Sequence, residues 1–348
     1  MNSIQRGVTA GLPSKVSHPR WNTIADSVRQ LPPCWIREDF LFWELCWKPL
    51  EITDSARLDA VLKLAVTSGK KLMLNVVPCP FPDAEEWKKR VGGAWDPWMR
   101  PDFRIWEPIR ETLGTAIDYC VRKWESLGGA KANLVFEWYN EPATGHVSGG
   151  NADKEAKGTW SPQFHAFCNY LLVGSNAVDF HGYKLVGPTL SMFGEGDAER
   201  QELKTALGGS EGQWWSKMQR RCVNLGIYLP RAAKSADEAS DMYRVELERI
   251  IGLMKGLAVA PAKSPIRIHE WYVSKPMLGY RNGECEDSFR ADCIVAIGEV
   301  IASYRDIEAA FFFTHFYPPE QVKSPYDDHS AFSGPARTAM VRFLSGKG

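Results

Sequence analysis

Asn133-Leu-Val-Phe-Glu-Trp-Tyr-Asn-Glu-Pro142 begins as an apolar run and ends as a polar one. Leu134, Val135, Phe136, Trp138 and Tyr139 favour a strand, because β-branched and aromatic side chains suit a pleated, packed surface. Pro142 cannot donate to a sheet ladder, so the strand is predicted to stop near Asn140 and Glu141. An amide and a carboxylate then stand side by side at the C-terminal end of a strand. In a barrel of parallel strands that is the end where chemistry sits.

Working outward from this stretch, strands and helices alternate along the whole chain. Strands are expected at residues 5–17 (with a turn), Cys34–Arg37, Lys71–Val77, Tyr183–Leu190, Cys222–Tyr228, at a segment ending at Glu270, and at Ala309–Tyr317. Between them, helical spacing is read over Pro19–Gln30, Asp54–Gly69, Asp102–Leu127, Phe164–Phe180, Asp237–Met254, Asp287–Tyr304 and Arg337–Leu344. Thr53 or Asp54 is placed to cap the second helix and Gly69 to end it. The Asp237–Met254 stripe is read as Met242, Val245, Leu247, Ile250, Ile251 and Met254.

Eight strand–helix units in 348 residues give about 43 residues each. Alternating units imply a parallel sheet. The reading is a single-domain (β/α)8 TIM barrel over residues 1–348, with long loops at its C-terminal face. The rival is an open, doubly wound sheet. It would favour a Gly-rich G-x-G-x-x-G turn after an early strand, and none lies near Gly7–Gly11. The segments 78–101 and 191–213 are long for loops of a compact domain, which marks them as functional.

Composition narrows the partners. Lys plus Arg and Asp plus Glu both number 42, so no basic footprint for nucleic acid or an anionic membrane surface is present. No apolar run approaches the roughly 20 residues needed to span a bilayer. The first ten residues hold no apolar core of a signal peptide, which leaves the compartment open between a cytoplasmic protein, one released by lysis and one whose leader has been trimmed away. Eight scattered cysteines contain no Cys-x-x-Cys pair, which disfavours zinc. The seven histidines do not cluster at strand ends, so no metal and no cofactor is expected. Tryptophan is abundant at 14 residues. Trp87, Trp95, Trp98, Trp160, Trp214, Trp215 and Trp271 are read as falling in loops, where indoles can stack on the C–H faces of sugars.

Ser264-Pro-Ile-Arg-Ile-His-Glu-Trp-Tyr272 repeats the form of the opening stretch, a short apolar strand ending in a carboxylate, Glu270. Glu141 and Glu270 stand about 130 positions apart, or three units of the barrel. Two strands delivering one Glu each to one rim make the carboxylate pair that glycoside hydrolysis uses.

Phe136-Glu-Trp-Tyr-Asn-Glu-Pro142 resembles the fourth-strand signature of clan A glycoside hydrolases, and Ile268-His-Glu-Trp-Tyr272 is similar to their seventh-strand segment. Cys34-Trp-Ile-Arg-Glu-Asp-Phe-Leu-Phe-Trp-Glu44 resembles the second-strand segment of family 39-like enzymes, and family 5-like enzymes are close in character. The resemblance covers Gly7 to about Pro319. It implies Glu141 as general acid/base, Glu270 as nucleophile and Arg37 as the Arg that hydrogen-bonds the nucleophile. Asn140 is then expected to bond the sugar 2-hydroxyl, with His269, Trp271 and His315 lining the substrate site. The sixth strand of the clan commonly ends in an aromatic within His-x-Tyr. Here the segment is Leu225-Gly-Ile-Tyr-Leu-Pro230, with Gly226 where the pattern has His; Tyr228 keeps the aromatic position and is expected among the substrate-binding residues.

Other acids are weighed and set aside. Glu137 lies deeper on the strand than Glu141 and reads as a buried structural acid, while Glu38, Asp39 and Glu44 could line the cleft. The resulting expectation is a retaining, endo-acting hydrolase of a polysaccharide, with a bacterial exopolysaccharide or capsule as first choice. A phage-type lysin on cell-wall glycan, a non-catalytic carbohydrate-binding barrel and a metal-dependent hydrolase are the alternatives. The sequence carries no signal for oligomeric state.

Overall fold

The computed structural model describes residues 4–40, 45, 51–76, 103–138, 177–186, 189–191, 223–227, 229, 232–256, 266–273, 287–316 and 330–346. Nine strand segments form one sheet: β1 (Gln5–Thr9), β2 (Trp35–Phe40), β3 (Lys71–Val76), β4 (Leu134–Trp138), β5 (Lys184–Val186), β6 (Thr189–Ser191), β7 (Val223–Gly226), β8 (Ile266–Trp271) and β9 (Ile307–Phe312). All their pairings are parallel. The order is β5-β4-β3-β2-β1-β9-β8-β7-β6. Only Gly187 and Pro188 separate β5 from β6 in the chain, yet these segments occupy the two ends of that order. The fifth strand position therefore joins both ends, and the sheet closes as a (β/α)8 barrel. Closure removes the unpaired edges that an open sheet exposes.

Among the described residues the helices that alternate with the strands are α1 (Trp21–Arg29), α2 (Ala56–Thr67), α3 (Phe103–Ser126), α4 (Ala236–Gly256), α5 (Asp287–Ser303) and α6 (Gly334–Ser345). Of the helix expected over Phe164–Phe180, residues 177–180 are described and are helical. Strand alternation divides the core in two. Ile36, Leu72, Leu74, Phe136, Ile268 and Phe312 join the large cluster under the helices. Trp35, Met73, Val135, Val186, Ala309 and Phe311 form a separate cluster that fills the barrel. Gly7 on β1 makes room for that filling, since a Cβ there would stand 2.4 Å from the Phe311 ring.

The N-terminal end of the barrel is tied by charge. Arg267 donates to Glu308 at 3.0 and 3.2 Å, and Lys184 reaches the same carboxylate at 3.2 Å. Burial opposes ionisation of Glu308, but these two cations outweigh it and hold the pKa at about 2. Because β5 and β9 are not neighbours in the sheet, the Lys184–Glu308 pair crosses the barrel.

One boundary and one buried face differ from the sequence reading. β2 does not end at Arg37: Glu38, Asp39 and Phe40 go on pairing with Leu74, Asn75 and Val76. On α4, Val245 is exposed, whereas Ala239, Tyr243, Leu247 and Ile251 are buried at every fourth position. The apolar count passed over Tyr243, whose ring supplies the packing at that ridge.

Glu38 also departs from expectation. It lies on the helix-facing side of β2 and is buried, so it does not line the cleft. It accepts hydrogen bonds from the Leu12 amide at 3.0 Å and from Arg57 at 2.9 Å. Burial nevertheless outweighs these contacts and pushes its pKa up to about 7. Between pH 4.5 and about 7 the unfolded chain has lost this proton and the folded chain keeps it. Stability therefore falls as pH rises through that window, by an amount on the order of 3 kcal/mol. Urea unfolding at a series of pH values should show this slope in the wild type and a flatter one in Glu38→Gln; equal slopes would refute the assignment.

Candidate active site

The C-terminal half of the barrel interior is polar. Arg37 on β2, Glu137 on β4, and His269 and Glu270 on β8 meet there, all buried. Arg37 Nε donates to Glu137 Oε2 at 2.5 Å, and Arg37 Nη1 donates to Glu270 Oε1 at 2.6 Å. One guanidinium thus bridges two carboxylates from strands on different sides of the barrel. The other oxygen of Glu137 lies 2.5 Å from His269 Nδ1.

The charges follow from these contacts. Burial works against ionisation of Glu137, but Arg37 and His269 overcome it and hold its carboxyl well below the usual carboxylate range. Its contribution to stability is present above the ordinary Glu pKa and is lost as pH falls toward the folded value. Burial would also lower the Arg37 pKa, yet Glu137 and Glu270 raise it overall, so Arg37 stays charged. Burial is the largest influence on His269 and lowers its pKa, leaving the ring neutral at pH 7 despite Glu137. An ionised carboxylate only accepts, so the proton of the neutral ring sits on Nδ1 and points at Glu137.

A bulge decides which way Glu270 faces. Ile268 pairs with Ala310 and Trp271 with Phe312, so β8 advances three residues while β9 advances two. On its other side, Leu225 pairs with Ile268 and Gly226 with Glu270. The extra residue turns both His269 and Glu270 inward, as bulges beside functional sites commonly do. Strict alternation would have placed Glu270 with Ile266 and Ile268, facing the helices.

The same bulge corrects the reading of Trp271. It is not a loop residue over the cleft: it ends β8, is fully buried, and packs edge-on against Phe312 and Phe343 of α6. His315 is corrected likewise. It is fully buried beyond the end of β9, with Nε2 3.1 Å from Ser27 Oγ of α1 and its ring against Phe332. Burial, aided by Arg337, lowers its pKa to about 3, so it is a neutral packing histidine. Neither ring offers surface to a ligand.

Glu141, Asn140 and Tyr228 lie outside the described residues, as do Glu44 and the other tryptophans assigned to loops. Sequence reasoning did not single out Asn75. Its signal was one amide within the apolar run Lys71-Leu-Met-Leu-Asn-Val-Val77, in step with barrel-facing Met73. Among the described residues no group of His, Cys, Asp and Glu has the arrangement of a metal site. No described helix is long and apolar enough to cross a membrane. Cys34 and Cys120 are free and buried, and Cys293 is buried.

No family model matches the chain, and no curated protein does. Solved structures are similar in fold. GH5_18 from Streptomyces cattleya in complex with GlcNAc superposes with a TM-score of 0.65 at 12% identity, covering 99% of this chain and 80% of that one. GH5_18 from Bifidobacterium longum subsp. longum ATCC 55813 gives 0.63 at 13% identity, covering 99% and 79%. Native xylanase 10B from Thermotoga maritima gives 0.61 at 12% identity, covering 99% and 96%. These neighbours are clan A glycoside hydrolases, the group that the sequence resembles. At such identities the likeness is one of fold.

Proposed function

We propose that the chain is a retaining glycoside hydrolase acting within a polysaccharide, with Glu270 as nucleophile and Glu141 as general acid/base. The observation that carries this reading is Glu270 itself. It sits at the C-terminal end of a barrel strand, is turned inward by a bulge, and is ion-paired at 2.6 Å to buried Arg37. An opposite charge at that distance favours the ionised carboxylate that a nucleophile requires.

In the first step Glu270 attacks the anomeric carbon while the bond to the leaving oxygen breaks. Glu141 gives its proton to that oxygen, and a glycosyl ester on Glu270 results. Glu141, now a carboxylate, then takes a proton from water as that water attacks the anomeric carbon. Glu270 departs as carboxylate, and the product keeps the starting configuration. Arg37 serves both steps by stabilising negative charge on Glu270 before attack and after release. The Asn140 amide is placed by the sequence to bond the 2-hydroxyl as the transition state develops. A bacterial exopolysaccharide or capsule is the substrate class favoured by the family 39-like second strand.

The test is product stereochemistry. Purified protein is screened against neutral and charged glycans, and the first-formed anomer is read by NMR before mutarotation. Retention at the cleaved centre is the expected result. Inversion would remove Glu270 from the role of nucleophile, and binding without cleavage would favour a non-catalytic barrel.

A further inference from the structure

The mouth of the barrel carries unsatisfied polar atoms on the side of β1 and β3. Asn75 on β3 is only 4% exposed. Its Nδ2 donates to Asp39 Oδ1 at 2.9 Å, while its Oδ1 has no hydrogen-bond partner among the described residues. Thr9 Oγ1, at the end of β1, is buried and likewise has none. Buried polar atoms left this way are few in native proteins, and each calls for an explanation. Asp39 is exposed, pairs in register with Asn75, and stands two residues past Arg37 on the same face of β2. Its charge acts on Arg37, which places it within electrostatic reach of the guanidinium that holds Glu270.

A sugar ring supplies what these groups lack. Its hydroxyls can donate to Asp39 and to Asn75 Oδ1, and its oxygens can accept from Thr9. We propose that Asp39, oriented by Asn75 and assisted by Thr9, binds hydroxyls of the ring that sits over Glu270, and that this ring is a neutral sugar and not a uronic acid. The proposal rests on the glycoside hydrolase reading above. Charge selects the class: among the described residues, Asp39, Glu137 and Glu270 face the cation Arg37, His269 is neutral, and Arg267 is already paired with Glu308. A uronate would bring a further negative charge beside partly buried carboxylates, where repulsion is screened less than in bulk water.

The experiment compares wild type, Asp39→Asn and Asp39→Ala on nitrophenyl β-glycosides of glucose, mannose, xylose and glucuronic acid, and on glucan, mannan, xylan, polyuronide and bacterial exopolysaccharide and capsule chains, both neutral and uronate-containing. Asp39→Asn keeps an oxygen that can accept from Asn75 Nδ2 and should melt as the wild type does, whereas Asp39→Ala leaves that buried amide unpaired and should melt a few degrees lower, still folded at assay temperature. Wild type is expected to cleave a neutral substrate in preference to the uronide. Each variant should lower kcat/KM on the neutral substrate about 10- to 100-fold, the scale of losing a hydrogen bond to a charged group. Asp39→Asn should also lower the neutral-to-uronide ratio of kcat/KM about tenfold, a change that a merely structural role would not produce. Cleavage of a neutral substrate with neither variant impaired beyond twofold would overturn the proposal and leave Glu270 as nucleophile. So would a wild type that prefers the uronide. A chain that cleaves nothing in the panel would overturn this proposal together with the hydrolase reading.

Discussion

Glu270→Gln is expected to lower glycoside cleavage by on the order of 10⁵-fold or more, the scale on which loss of a covalent nucleophile falls. The amide is nearly isosteric with the carboxylate, and its oxygen can still accept from Arg37 Nη1, which now bonds Glu270 at 2.6 Å. What it loses is the charge that attacks the anomeric carbon. KM should change little, because the substrate-binding surface is kept. Initial rates of reducing-end release, with a melting curve to show that the fold survives, decide the matter. Cleavage at the wild-type rate by a folded Glu270→Gln protein would end the assignment.

Arg37→Met should destabilise the fold by about 3–5 kcal/mol, the range for breaking a buried ion pair from one side. Arg37 is 3% exposed and is the cation shared by Glu137 and Glu270. Its removal strands the Glu137 carboxylate, which has no exposed surface at all. Adding Glu137→Gln should therefore restore part of the loss, because an uncharged amide can stay buried and still accept from His269 Nδ1–H. Urea unfolding of wild type, single and double variants at pH 7 measures both steps. A loss under about 1 kcal/mol, or no recovery in the double variant, would contradict the reading of Glu137 as a charge held in place by Arg37. The pH profile gives a second check. Wild type should lose stability as pH falls below the ordinary Glu range, and the double variant should lose less, since its carboxylate with the strongly lowered pKa is gone.

Several features were legible in the chain alone. The alternation of strands and helices from Gln5 to Ser345 follows from hydrophobic periodicity and from Gly and Pro punctuation, both local properties. The strands carrying Glu137 and Glu270 were recognisable as apolar runs with acids toward their C-terminal ends, although the sequence reading carried the first of them on to Glu141. Arg37 could be linked to Glu270 only through family resemblance, because 233 positions separate them. Val245 was misread because an apolar side chain counts the same whether it faces the core or the solvent.

The sequence by itself determined the kinds of element, their order and the acids available for chemistry, since short-range propensity and patterning suffice for those. Only the tertiary structure decided which side chains share the interior of the barrel. Facing is set by pairing register, and register depends on neighbours far away in the chain. One extra residue in β8 turned Glu270 toward Arg37 and sent Trp271 into the helix layer, and the packing of α1 beside the end of β9 made His315 a core residue. The pairing of Asp39 with Asn75 came from the same source, a strand that ran three residues further than its own sequence indicated.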